Sequence, residues 1–155
     1  MKKNNPVRYS SAVGEVWVHS MYKVKYCHNI FDTLAYRNAM RALFLKALRK
    51  YDITCKENEI GFDSNHVHMD IDLGLRSKPQ IAKLLKGYTA MKFFKLFPEL
   101  KKPRKEGGLF WRGGLWSPAY YGGCSYGNTL EYIKRQKYGS ANMKISQKKL
   151  SMFSI

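Results

Sequence analysis

The chain has 155 residues, the size of one ordinary domain, and its 28 Lys and Arg against 11 Asp and Glu give a formal net charge of +17. Such a charge is unusual for a metabolic enzyme and indicates a polyanionic partner, whereas a hydrophobic fraction of 45% argues against a disordered basic tail. The sequence has no apolar run of transmembrane length, no secretory signal and no CxxC pair among its three cysteines. It therefore predicts a cytoplasmic protein that does not bind membranes.

The first half of the chain predicts one helix and three strands. Residues 1–14 are predicted to form an irregular arm. Partial alternation of apolar and polar residues predicts a strand over 16–27. Helical spacing of apolar residues predicts a helix that Asp32 or Thr33 caps and that runs to about Lys50. A second strand is predicted over 53–62. A third is predicted over 66–73, where apolar and polar side chains alternate without interruption.

The second half predicts two further helices and a fourth strand. A capping box at Ser77 begins a helix that Pro98 ends. A basic, glycine-rich loop follows over 101–114. The strand predicted over 116–123 contains a proline, which indicates the edge of a sheet. A short helix is predicted over 129–138, where a glycine ends it.

The order of these elements predicts the fold. A β-α-β-β-α-β-α order with short connections between strands predicts an antiparallel sheet. We expect a ferredoxin-like or RRM-like α+β fold, with helices packed mainly on one face and a short C-terminal helix. The chain is predicted to form one domain, 1–155, with its core over 16–139 and a basic tail over 140–155.

Basic residues are concentrated after the third predicted strand. Eight of the eleven acids lie before Leu73, whereas residues 73–98 contain six basic residues and no acid. Because no segment predicts a basic helix with a bare apolar face, nucleic acid is a better candidate partner than an anionic membrane.

Two histidines of the third predicted strand form the first candidate site. His66 and His68 are two residues apart, so both imidazoles leave the same face of the strand, and the residues of the opposite face, 67, 69, 71 and 73, are all apolar. The pair can therefore bind one metal ion from a rigid support. The alternative is two incidental surface histidines, because a His-x-His pattern alone is common.

A tyrosine and a glutamine in the last predicted helix form the second candidate site. Tyr132 and Gln136 are four residues apart and lie on one helix face. The neighbouring basic residues Lys134 and Arg135 are candidate DNA contacts. The alternative is an aromatic side chain that partly covers the core.

Arg112 and Trp116 lie at the end of the basic loop, in an aromatic segment. Aromatic rings beside an arginine can stack on unpaired bases, and they can equally be packing residues of a strand. The sequence contains no Walker A pattern and no serine nucleophile elbow, so it indicates neither an ATP site nor a serine hydrolase.

Four segments occur together in the order and spacing of a known family. They are His66-Val67-His68, the helix from Leu85 to Leu100, the segment Gly114 to Tyr120, and Tyr132-x-x-x-Gln136. Over 16–139 the chain thereby resembles the IS200/IS605 transposases, which are single-tyrosine members of the histidine-hydrophobic-histidine nucleases. The resemblance implies an enzyme that cuts and rejoins single-stranded DNA at the ends of an insertion sequence. It also implies recognition of DNA hairpins near those ends.

The resemblance implies a role for each candidate residue. Tyr132 would be the nucleophile that forms a 5′-phosphotyrosine, and His66, His68 and Gln136 would be the ligands of a divalent metal. Asp70, on the histidine face of the strand, is a candidate additional ligand. Neutral imidazole and amide ligands leave a cation its full charge for a phosphate, and we expect Mg²⁺ or Mn²⁺. An asparagine, Asn65, precedes the histidines where relatives often have an acid.

The resemblance also implies a homodimer. The helix with Tyr132 lies between glycine-containing segments, so we expect it to be held only loosely on its own sheet. In the implied dimer this helix serves the histidines of the partner, so that both active sites are shared between subunits.

Two other functions fit part of this pattern. A non-catalytic single-stranded nucleic-acid-binding module of RRM-like fold explains the charge, the aromatic residues and the fold. It does not explain two histidines on one face together with a Tyr-x-x-x-Gln helix. A replication initiator or relaxase-type nuclease shares the metal chemistry, but such proteins usually carry further domains, for which 155 residues leave no room.

Overall fold

A computed structural model describes residues 15–125 and 127–141, so the predicted arm and nearly all of the predicted tail lie outside the described residues. The helices and strands follow each other in the predicted order. They are β1 (Trp17–Val24), α1 (Leu34–Lys50), β2 (Gly61–Phe62), β3 (His66–Asp72), α2 (Lys78–Leu96), β4 (Trp116–Cys124) and α3 (Thr129–Lys134). In the described ranges, no helix has both the length and the apolar character needed to span a membrane.

The four strands form one antiparallel sheet in the order β2-β3-β1-β4. The strands β1 and β3 pair in the centre, and each is followed by a helix, which is the split βαβ arrangement of ferredoxin-like folds. This arrangement confirms the predicted α+β class. The strand β4 lies at the edge, as its proline predicts.

The core lies between the sheet and the helices α1 and α2. Alternate residues of β3 point to this side, and Val67 and Met69 are fully buried in one cluster with Phe44 of α1 and Phe93 of α2. The helix α2 begins with the predicted capping box: Ser77 Oγ accepts a hydrogen bond from the Gln80 amide, and the Gln80 side chain accepts one from the Ser77 amide. The helices α1 and α2 leave the opposite face of the sheet uncovered.

Three predicted boundaries are wrong. The strand β1 ends at Val24 because the next residues form a 3₁₀ turn with Tyr26 at φ 60°. The predicted strand 53–62 is reduced to its last two residues, since Glu57 and Asn58 have left-handed φ values of 52° and 51° in another 3₁₀ turn. The helix α3 ends at Lys134, and the Tyr138 amide donates instead to the Phe62 carbonyl of β2 at 2.9 Å.

Candidate active site

Polar side chains collect on the sheet face that α1 and α2 leave uncovered. The register between β1 and β3 pairs Met21 with His68 and His19 with Asp70. Residues that face each other across an antiparallel pair project to the same side, so His19 joins His66, His68 and Asp70. The shared face of His66 and His68 agrees with the alternation of the strand. The sequence interpretation missed His19, because cross-strand register is not visible within a single strand.

Three of these side chains form a buried hydrogen-bonded row. His68 Nδ1 lies 3.0 Å from His19 Nε2, and His19 Nδ1 lies 3.2 Å from Asp70 Oδ1. The second carboxylate oxygen of Asp70 accepts a hydrogen bond from Ser125 Oγ at 2.9 Å. The exposed fractions of His68, His19 and Asp70 are 3%, 7% and 0%. The row therefore lies out of contact with bulk water.

The outer nitrogens of His66 and His68 suit a metal ion. His68 Nε2 is buried, and no group in the described part of the chain offers it a hydrogen bond. His66 Nδ1 lies 2.8 Å from Asn65 Oδ1, so both rings use Nδ1 within the protein, and their centroids are 4.8 Å apart. A metal-bound histidine characteristically uses its other nitrogen in this way.

Burial favours the neutral form of both of these imidazoles. Burial lowers the pKa of His66, although the Asp63 carboxylate opposes the shift. Burial lowers the pKa of His68 to about 3, and the neighbouring His66 and His19 add to the effect. Each ring therefore keeps a lone pair for a cation without competition from protons.

A glycine in β2 allows α3 to lie against the histidine face. Gly61 pairs with His68 in the sheet, and a Cβ at this position would come 2.5 Å from the Ile133 carbonyl oxygen and 3.1 Å from Gln136 Cγ. Any larger residue would therefore push α3 off the sheet. Gln136 itself is only 8% exposed, and its Nε2 donates to the Tyr132 carbonyl at 3.2 Å.

We expect Gly61→Ala to lower the free energy of unfolding by about 1–3 kcal/mol, because the added methyl group overlaps the Ile133 carbonyl oxygen. It should also speed amide hydrogen exchange in α3. Urea denaturation and exchange measured by mass spectrometry test the two effects. Gly87→Ala is the matched control: a Cβ there meets no atom within 4 Å, and alanine should stabilise the helix by roughly 0.5–1 kcal/mol. Unchanged exchange in α3 of Gly61→Ala would contradict the close packing.

Tyr132 of α3 lies over the histidines. Its ring centroid is 5.5 Å from that of His68 and 5.8 Å from that of His19, and its plane is steeply inclined to both, at 87° and 69°. The side chain is 55% exposed, so it is accessible to a ligand above the sheet. The structure thus brings Tyr132 and the predicted histidine pair together within one chain.

Polar contacts fasten α3 and the turn that follows it to the rest of the chain. Asp32 Oδ1 accepts hydrogen bonds from Tyr138 Oη at 2.6 Å and from Lys137 Nζ at 3.1 Å. Lys134 Nζ lies 2.8 Å from Glu57 Oε2. Together with the buried Ile133, these contacts hold the helix on its own sheet, which differs from the loose attachment expected from the flanking glycines.

Comparison with known proteins identifies the family. A family model for IS200-like transposases matches residues 12–136. The chain belongs to the IS200-like transposases. It is similar to a candidate transposase from Deinococcus radiodurans R1, with 22% identity, a TM-score of 0.60, and coverage of 87% of this chain and 94% of that one. It is also similar to a REP-associated tyrosine transposase bound to a REP hairpin, with 11% identity, a TM-score of 0.51, and coverage of 82% and 68%.

At these identities the two structures support only the fold of this transposase. No curated protein matches the chain.

Asp70 of this transposase is occupied by protein contacts. Both carboxylate oxygens are hydrogen-bonded, one with His19 and one with Ser125. Among residues 15–125 and 127–141, no three His, Cys, Asp or Glu side chains form a group suited to a metal ion. A site with three protein ligands would therefore need the Gln136 amide in addition to His66 and His68.

Trp116 is a core residue of this transposase and not an exposed DNA contact, which corrects the expectation that it could stack on bases. It is 6% exposed, its Nε1 donates to Thr89 Oγ1 at 2.9 Å, and its ring packs against Tyr22 and Phe44. The alternation of β4 places this ring on the helix side of the sheet. Of the other DNA-binding candidates, Arg112 and Arg135 are exposed, whereas Lys134 is half-buried and paired with Glu57.

A pocket of about 570 Å³ lies beside the C-terminal end of β1 and is lined by aromatic and basic side chains. Tyr26 and Trp111 are 59% and 43% exposed, and the Arg112 guanidinium lies 4.6 Å from the Trp111 ring centre. Arg104 lines the same pocket. Tyr26 and Cys27 have φ values of 60° and 55°, a strained backbone of the kind that often collects at functional sites. The sequence interpretation selected Arg112 but missed the adjacent Trp111.

Proposed function

We propose that this transposase cuts and rejoins single-stranded DNA through a covalent 5′-phosphotyrosine at Tyr132. The observation that carries the proposal is the position of Tyr132, whose exposed ring lies 5.5 Å from that of His68. A phenol beside two neutral imidazoles on a rigid sheet suits attack on a phosphodiester. Membership of the transposase family supports the same chemistry.

We further propose that His66, His68 and Gln136 bind a divalent cation, Mg²⁺ or Mn²⁺. The buried Nε2 of His68, for which the described residues offer no hydrogen-bond partner, and the lowered pKa of both imidazoles support this assignment. The cation would offset negative charge on the non-bridging oxygens of the phosphate. Gln136 Cγ packs against Gly61, the sheet partner of His68, which supports the inclusion of Gln136 in the site.

The proposed reaction conserves the phosphoester. The Tyr132 oxygen forms a bond to phosphorus while the bond between phosphorus and the 3′ oxygen breaks. The phenol proton is released, and the 3′ oxygen takes up a proton to become a hydroxyl. A second 3′ hydroxyl can then attack the phosphotyrosine and rejoin a strand, so neither ATP nor a water nucleophile is consumed.

We propose that the DNA partner carries a hairpin and an unpaired strand. A net charge of +17 supports a polyanionic ligand. The REP-associated neighbour was solved with a REP hairpin, which makes a hairpin the first DNA to test. The pocket between Tyr26 and Trp111, with Arg104 and Arg112 at its wall, suits an unpaired base and its phosphate.

DNA affinity should depend steeply on salt. For about six phosphate contacts, the slope of log affinity against log salt is expected near −4, at roughly −0.7 per contact for single strands. Trp111→Ala should weaken binding of single-stranded DNA by about 1–3 kcal/mol, because it removes a stacking surface, with little change in slope. Fluorescence anisotropy from low to moderate salt measures both. A flat salt response would mean that the charge serves another purpose.

We propose that the protein is a homodimer with active sites shared between subunits. The strand β4 forms the edge of the sheet, and its outer backbone groups offer a pairing surface to a second copy. In the single chain, however, Tyr132 already lies over the chain's own histidines. A shared site would therefore require α3 and the turn after it to leave their own sheet, which breaks the contact of Lys134 with Glu57 and that of Tyr138 with Asp32.

The direct test is incubation with labelled single-stranded DNA that carries the adjoining element end. A protein–DNA adduct that survives denaturation, forms with Mg²⁺ or Mn²⁺ and disappears with EDTA is the expected result. Tight binding without an adduct under all metal conditions would favour the non-catalytic binding module instead.

A further inference from the structure

The buried row of His68, His19 and Asp70 lies behind the proposed metal site, and the reaction described above assigns no role to two of its members. We infer that His19 and Asp70 are positioning residues that hold His68 in one tautomer, with the proton on Nδ1 and the lone pair on Nε2. This inference rests on the proposed metal site and adds to it the residues that prepare one ligand.

The hydrogen bonds of the row constrain where each proton lies when the His19 ring carries a single proton. The Asp70 carboxylate is an acceptor, so His19 Nδ1, at 3.2 Å from it, is the donor. In a neutral ring, His19 Nε2 is then an acceptor. It can pair with His68 at 3.0 Å only if His68 Nδ1 carries the proton. The lone pair of His68 is thereby placed on Nε2.

The other tautomer of His68, with its proton on Nε2, is disfavoured at both ends of the row. With its proton on Nε2, His68 would carry a buried donor for which the described residues offer no partner. A His19 ring with a single proton would then turn an unprotonated nitrogen toward the Asp70 carboxylate, where two lone pairs would face each other. Ser125 fixes the carboxylate from its other side at 2.9 Å, so Asp70 cannot easily turn away.

Burying this polar row costs free energy, so its presence indicates a role beyond packing. A carboxylate that is 0% exposed in the central part of a sheet needs compensation by hydrogen bonds, and here it receives them from His19 and Ser125. An apolar side chain at the same position would satisfy packing alone. Hydrogen bonds behind a metal-bound histidine orient its ring and raise its basicity, and their loss typically costs 10- to 100-fold in metal affinity.

The tautomer can be measured without any metal. Long-range proton–nitrogen NMR on the ¹⁵N-histidine-labelled protein at pH 7.5 distinguishes a protonated from an unprotonated ring nitrogen. We expect His68 of the unaltered chain to carry its proton on Nδ1. A His68 ring with its proton on Nε2 overturns the inference, whatever the enzyme does with DNA.

The effect on metal binding separates positioning from packing. His19→Leu removes the acceptor for His68, and we expect Mn²⁺ affinity, followed by the electron paramagnetic resonance of free Mn²⁺, to fall by about 10- to 100-fold. His19→Gln keeps a side-chain oxygen that can accept from His68 Nδ1, so it should retain most of the affinity. His28→Leu, which changes a histidine outside the row, should leave Mn²⁺ affinity unchanged.

The outcomes distinguish the two proposals. If the unaltered chain binds no Mn²⁺ but shows the Nδ1 tautomer, the metal site fails and the positioning of His68 stands. If the unaltered chain binds Mn²⁺ and both His19 variants bind it equally well, positioning by His19 is overturned while the metal site stands. If His19→Leu does not fold, the tautomer measurement on the unaltered chain decides the question.

Discussion

Tyr132→Phe is expected to reduce formation of the covalent protein–DNA adduct by roughly 10⁴-fold or more. This is the scale expected for the loss of a catalytic nucleophile. The substitution removes one oxygen and keeps the ring that packs against His68 and His19, so the fold and the position of α3 should persist. DNA binding should stay within about twofold, because the basic surface is unchanged. Denaturing gels with labelled DNA measure the adduct, and fluorescence anisotropy measures binding.

Other tyrosines provide the controls for this result. Tyr121 lies near the same site, with its ring centroid 6.1 Å from that of His19, and Tyr138 donates a hydrogen bond to Asp32. Tyr121→Phe and Tyr138→Phe should both still form the adduct. If Tyr132→Phe forms it as well, peptide mapping should locate the nucleophile, with Tyr126 and Tyr138 the first positions to check.

His66→Ala and His68→Ala should each reduce metal-dependent cleavage by at least about 100-fold, which is more than the loss of a residue that only orients a ligand. Each change removes an imidazole whose pKa is lowered by burial, which favours its neutral, metal-binding form. Both side chains project from the face opposite the core, so the fold and DNA binding should persist. Titration of adduct formation with Mn²⁺ measures the effect, and circular dichroism checks the fold. Unchanged cleavage in either variant would contradict the metal site.

Mixing two inactive variants tests the shared site. In a dimer of one His66→Ala chain and one Tyr132→Phe chain, a shared site can combine intact histidines from one subunit with an intact tyrosine from the other. The shared-site proposal predicts partial recovery of the adduct. A mixture that stays inactive although subunits exchange would show that the site is built within one chain, as α3 is docked in this structure.

The core-facing side of β3 and the start of α2 could be predicted because each depends on residues that are close together in the sequence. Alternation in β3 predicted which face joins the apolar core, and the capping box at Ser77 predicted the start of α2. The strand predicted over 53–62 failed because its residues look extended, whereas Glu57 and Asn58 adopt left-handed backbone conformations. Backbone strain of this kind leaves no mark in hydrophobic periodicity.

The less predictable part of the site depends on distant pairs of residues. His19 reaches His68 only through the register of β1 on β3, which is set by the whole sheet. The role of Gly61 depends on α3, which follows it by some seventy residues and approaches it within contact distance. The role of Trp116 could not be predicted for a similar reason. Its ring can stack on DNA from one face of the sheet or pack against Phe44 from the other, and the sequence does not show which face it occupies.

The residues that form the apolar core and the residues proposed for catalysis lie on opposite faces of the sheet. The core lies under α1 and α2, while His66, His68 and Tyr132 lie on the other side, where their loss leaves the apolar cluster intact. We therefore expect gene copies that have lost Tyr132 to persist as folded proteins that still recognise the same DNA. Such copies would occupy element ends without cutting them and would compete with active copies in the same cell, so inactivation by mutation would produce an inhibitor.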